Sequence, residues 1–190
     1  MLDGIVISLA KHTLLHHFSK EEAIDKHRLL KQYPQLSQKR ASFVTLHKRG
    51  ALRGCIGSII AHRSLYDDIV SNTLMSAFRD SRFSPLKEDE LSELSIEVSI
   101  LSNPKEIEYS SYEELVKKIT PNEDGLILEF DSYHGTFLPQ VWQQLPKTKD
   151  FLEHLSFKAG ADPSIYTQKP KILRYRVEAI EAEFDEIASL

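Results

Sequence analysis

Residues 41–60 read "ASFVTLHKRGALRGCIGSII", two β-rich runs joined at Arg49-Gly50. Glycine supplies the positive φ that a tight turn requires, so the stretch reads as a β-hairpin. Alternation along the second run puts Arg53, Cys55 and Gly57 on one face and Leu52, Gly54 and Ile56 on the other. Strand interiors disfavour glycine, so Gly54 and Gly57 point to a bulge or to a close approach by a ligand or another backbone.

Reading outward toward the C-terminus, Ser64 with Asp67 three residues on opens a helix through "LYDDIVSNTLMSAF", with Leu65, Ile69 and Ala77 or Phe78 inward. A loop, "RDSRFSPL", follows, held by Pro85. "ELSIEVSIL" then alternates, with Leu94, Ile96, Val98 and Ile100 on one face and Ser95, Glu97 and Ser99 on the other. Ser111 with Glu114 caps a short helix. "LILEF" and "GTFLP" read as strands joined by "DSYH", and "QVWQQL" and "KDFLEHLSFKAG" read as helices, the second closed by Gly160. The segment "ILRYRVEAIEAEF" reads as one long terminal strand with Leu173, Tyr175, Val177 and Ala179 on one side. Toward the N-terminus, Ile5, Leu9, Leu14 and Phe18 mark an amphipathic helix to about Ser19, and a second, polar helical stretch ends at Pro34. No βαβ alternation appears, so the class is α+β with a mainly antiparallel sheet flanked by helices.

At 190 residues the chain is long enough for one domain, or one domain with a smaller lobe, burying roughly 70% of its unfolded surface. A net charge of −4 supplies no basic face for nucleic acid. No run approaches the ~18 apolar residues of a membrane span, and Asp3 precedes the only early apolar run, against the pattern of a signal peptide. A single cysteine forms no internal disulfide, which fits a reducing, cytoplasmic setting.

Walker, GxGxxG, CxxC, HExxH and GxSxG patterns are absent, and the eight histidines show no ligand spacing, so no metal and no cofactor is expected. Cys55 is the one nucleophile candidate. Arg53 on the same face would stabilise its thiolate, and Glu97, His134 or His62 would handle the proton. Against this stands Cys55 as a small buried residue wedged between glycines. The arginines of "AFRDSRFSPL" read either as an anion clamp or as loop-fixing pairs, Arg79 to Asp80 or Arg82 to Glu97.

The stretches "LRGCIGS" (52–58), "AFRDSRFSPL" (77–86), "SIEVSIL" (95–101), "DGLIL" (124–128), "GTFLPQVW" (135–142) and "FLEHLSFKAG" (151–160) resemble, in order and spacing over about residues 40–184, the AMMECR-domain family. The family's usual "DPRF" reads Asp80-Ser81-Arg82-Phe83 here, without the proline that stiffens that loop. The resemblance implies a two-lobed α+β domain over residues 1–190. Its larger lobe carries the helix-flanked sheet, its smaller lobe is mostly β, and the signature strand and arginine loop lie near an inter-lobe cleft. No established activity accompanies it. It implies association with a Memo-like protein and a radical SAM enzyme in a modification pathway, while the charge balance and the lack of a long apolar run point to no nucleic acid and no membrane as partner. Two functions follow. In one, Arg53, Gly54, Gly57, Arg79, Asp80, Arg82 and Phe83 form a non-catalytic surface for a partner or substrate. In the other, the protein is a thiol-dependent enzyme with Cys55 as nucleophile and Glu97 or His134 as proton handler.

Overall fold

The structure, a computed structural model, describes residues 4–190. In chain order it contains α1 (Ile5–His17), α2 (Lys26–Gln32), β1 (Ser42–Lys48), β2 (Ala51–Gly57), α3 (Leu65–Phe78), β3 (Leu94–Leu101), β4 (Lys105–Glu106), α4 (Tyr112–Lys118), β5 (Gly125–Phe130), β6 (Tyr133–Phe137), α5 (Thr148–Lys158), β7 (Lys171–Tyr175) and β8 (Val177–Glu183), with short 3-10 turns between. The architecture is α+β, as the sequence implies. The chain forms two compact units, one comprising residues up to Leu101 together with Glu178–Leu190, the other Ser102–Val177.

The first unit is built on a sheet of order β2-β1-β3-β8, in which β1 runs antiparallel to both β2 and β3. Alternation decides its burial: Val44, Leu46, Leu94, Ile96 and Val98 are fully buried with Leu9 and Leu14 of α1 and Ile69 of α3. The Ser64 hydroxyl accepts from Asp67 N (3.2 Å) and thereby starts α3 at its expected place. The hairpin turn forms at Arg49-Gly50, and both residues, not glycine alone, have positive φ (52° and 79°).

One register detail departs from simple alternation. Leu46 pairs with Gly54 but His47 pairs with Leu52, so Arg53 is the extra residue of a β-bulge. Arg53 therefore leaves the alternating row that Cys55 and Gly57 share.

The second unit has a sheet of order β4-β7-β5-β6 with Leu126, Leu128 and Ile172 buried beneath Phe151 and Leu155 of α5. Trp142 stacks on Phe151 at 3.8 Å and donates its indole N–H to the Asp124 carbonyl (2.8 Å). It sits in a 3-10 turn, Pro139–Gln143, rather than in an α-helix. The β5–β6 turn is only Asp131-Ser132, so Tyr133 and His134 belong to β6 and not to a connection.

The expected single terminal strand is two. Residues 171–175 pair with β4 and β5, and residues 177–183 join the other sheet, with Arg176 between them. The buried residues of β7 are Ile172 and Tyr175, and Ile180 and Ala182 of β8 pack on the first core, while Val177 and Ala179 lie outside both cores. Alternation continues across the break, so the sequence pattern carries no sign of it.

Candidate functional site

The signature strand β2 lies at a sheet edge and is fastened to α3 and to the loop after it. Gly54 sits beneath α3 so closely that a Cβ there would overlap the Ser76 carbonyl oxygen. It is this helix backbone that demands the glycine, and Gly57 is held in the same way beneath the Phe43 ring. The Ser76 hydroxyl accepts from Ile56 N (2.9 Å) and donates to the Val44 carbonyl (2.7 Å), so a side chain from α3 stands between two paired strands.

The arginine loop closes over the outer edge of β2. The buried Asp80 carboxylate accepts from Cys55 N (3.0 Å), from Arg82 N (3.1 Å) and from the Arg82 guanidinium (2.9 and 2.6 Å). Arg82 Nη2 also reaches the Cys55 carbonyl (3.3 Å), and its guanidinium lies 5.4 Å from the Phe83 ring centroid. The Arg82 hydrogen bonds, with those from the Cys55 and Arg82 amides, hold the Asp80 carboxyl far below the ordinary carboxylate range. The loop pair is thus Arg82 with Asp80, in place of Arg79 with Asp80 or Arg82 with Glu97. It supplies the stiffness for which a proline is lacking at Ser81. Arg82 remains half exposed and Arg79 is exposed.

The residues proposed for thiol chemistry are only partly brought together. Cys55 is half-buried, and its Sγ accepts from the Thr45 hydroxyl (3.2 Å). Thr45 pairs with Cys55 on one side and with Glu97 on the other, so thiol, hydroxyl and carboxylate form one row across β2, β1 and β3. Glu97 accepts from Ser99 Oγ (2.8 Å). Arg53 has a different partner, an almost buried bidentate pair with Glu90 (3.1 and 3.0 Å) that Lys48 joins at 2.9 Å. Arg53, then Lys48, hold Glu90 down at about 2. His134 is exposed on β6 in the second unit, in a different sheet from Cys55 and Glu97, and His62 is an exposed loop residue bonded to the Ile60 carbonyl.

Two groups were missed in the sequence. His47, two positions along β1 from Thr45, is fixed through Nδ1 to Glu181 Oε1 (3.1 Å), which also accepts from Ser95 Oγ (2.7 Å). Strand spacing to Thr45 is the signal that would have found it. Asp68, fully buried on α3, accepts from Ser42 N and Oγ, Ser58 Oγ, Asn72 Nδ2 and Arg63 Nε, all at 2.7–2.9 Å. Among the described residues no group of three or more His, Cys, Asp or Glu could hold a metal ion, and no helix is long and apolar enough to cross a membrane.

A family model described as AMMECR1 matches residues 7–180. The chain belongs to the AMMECR1 family. A protein of Methanosarcina barkeri is 34% identical to it, with 87% of this chain and 83% of that one covered. A protein of Thermococcus gammatolerans is 36% identical, with 80% and 77% covered. The crystal structure of an uncharacterised protein from Pyrococcus horikoshii superposes with a TM-score of 0.74 at 32% identity, covering 94% of this chain and 90% of that one. Within this AMMECR1 chain, the signature glycines and the carboxylate of the arginine loop have structural partners in every case above, and the long side chains left facing solvent include Arg79, Arg82, Leu52 and Ile60.

Proposed function

We propose that this AMMECR1-family protein is a binding or accessory component of a modification pathway, acting with a Memo-like protein and a radical SAM enzyme, and that the joined segments 52–58 and 77–86 receive the partner or substrate. The observation that carries this reading is the Asp80 cradle. Its carboxylate and the Cys55 carbonyl hold the Arg82 guanidinium in one orientation while half of that side chain faces solvent. A fixed guanidinium loses little entropy when it meets a carboxylate or phosphate, and exposed Leu52 (41%) and Ile60 (70%) add apolar surface to the same strand and its exit. Titration calorimetry of the full chain against a purified Memo-like protein tests it. Arg82→Ala is expected to weaken binding about tenfold or more and Cys55→Ser to leave it unchanged; equal binding by both variants and the parent would refute the assignment.

A second reading, a thiol-dependent enzyme, keeps support from one observation: Cys55 is half-buried, in a row with Thr45 and Glu97 and near the carboxylate-fixed His47. Iodoacetamide alkylation of the native chain between pH 5 and 9 separates the two. An accessible thiolate labels rapidly with a midpoint well below ~8.5, and a packing cysteine labels only after denaturation.

A further inference from the structure

Among the described residues the two sheets have four outer strands, and three of them are guarded against pairing with another chain. The outward amide of Cys55 on β2 is taken by Asp80, β4 is only two residues long, and β8 carries Glu178, Glu181 and Glu183. The fourth, β6, has none of these protections. Its five residues, Tyr133 to Phe137, include no charged carboxylate or ammonium, and His134 is exposed.

The register fixes which groups β6 presents. Its turn has two residues, so Phe130 and Tyr133 form the hydrogen-bonded closing pair, as do Leu128 with Gly135 and Leu126 with Phe137. The backbone N–H and C=O of His134 and Thr136 therefore point away from β5. They flank Gly135 symmetrically, which makes the edge complementary to itself. A copy turned by a twofold axis through Gly135 would set His134 of each chain opposite Thr136 of the other, each such pair exchanging both of its backbone bonds.

Side chains beside the edge agree with that register. Tyr133 (39% exposed) and Phe157 of α5 (52%) lie open on the α5 side, where Tyr133 approaches Gly160. Lys158 lies over the Phe137 ring at 5.0 Å, at one end of β6, and has no carboxylate partner among the described residues. Asp131 is exposed at the other end. Antiparallel pairing brings Lys158 of each copy toward Asp131 and Tyr133 of the second, so charge complementarity arises twice over.

We propose that a second copy of this chain docks on β6, joining the β4-β7-β5-β6 sheets of the two copies into one of eight strands with the aromatic residues of both α5 helices beside the seam. Multi-angle light scattering and sedimentation of the full chain test this. The parent is expected at twice the chain mass at micromolar concentration. His134→Pro removes an outward N–H at an edge position that tolerates proline, and is expected to give a monomer with unchanged circular dichroism. Lys158→Asp is expected to weaken the dimer about tenfold and the double variant Lys158→Asp with Asp131→Lys to restore it. A monomeric parent, or a dimer that persists unchanged in His134→Pro, would overturn the proposal. Neither outcome bears on the partner titration, which reads residues of the other unit.

Discussion

At the scale of single residues, the signature is governed by what lies directly against it. Because a Cβ on Gly54 would overlap a helix carbonyl oxygen, Gly54→Ala is expected to destabilise the chain by about 2–3 kcal/mol, measured by urea denaturation. A loss under 0.5 kcal/mol would mean that α3 can retreat. Cys55 has the opposite standing, since its sulfur takes one weak bond from Thr45, and Cys55→Ser should change stability by less than about 1 kcal/mol. Glu90 gives a pH signature. Its carboxyl is held at about 2 by Arg53 and Lys48, below the 4.5 of a free glutamate, so the pair's contribution is complete above about pH 5 and lost as pH falls toward 2. With both partners almost buried, that contribution is about 2–3 kcal/mol. Glu90→Gln should remove it near neutral pH and flatten the acid limb of the melting curve between pH 5 and 3; an unchanged limb would assign acid lability to other carboxylates.

At the scale of elements, α3 and the loop after it are the clamp on the signature strand. Asp68 binds Ser58 and Ser42, the Ser76 hydroxyl bridges Ile56 and Val44, and Asp80 takes the Cys55 amide. Replacing Ser76 by alanine would leave a strand amide and a carbonyl without their bridge, at a cost of about 1–2 kcal/mol. Asp80→Asn should free the loop from β2 and expose residues 79–86 to proteolysis while the helices persist, and equal cleavage in parent and variant would contradict the cradle. The sequence foretold the elements here: the hairpin, the Ser64 cap and the β3 alternation all stand where the pattern placed them. It could not foretell the clamp, because a serine or aspartate inside a helix shows its hydrogen-bond partner only once that helix has docked.

For the whole molecule, the chain leaves its first sheet after Leu101 and returns to it at β8, with residues 102–177 forming their own unit around their own core. Trp142 is the only tryptophan and sits in that second core, whereas Cys55 belongs to the first unit. One chain thus carries a separate reporter for each core. Leu128→Ala, at a fully buried position, should lower the stability read by tryptophan fluorescence by about 2–5 kcal/mol and shift the alkylation of Cys55 under denaturant by less. Equal shifts in both reporters would show that the two cores unfold together.

The sequence by itself determined the α+β class, nearly every helix and strand, and the family. These are local matters of periodicity, capping and turn chemistry, and neighbours in the chain suffice to fix them. Tertiary structure alone decided that Arg53 turns to Glu90 at a bulge, that His134 lies in another sheet from Cys55 while His47 shares a strand with Thr45, and that the last strand is split between two sheets. Each depends on register or on which sheet a strand joins, and alternation of period two reads the same whichever partner lies beside it.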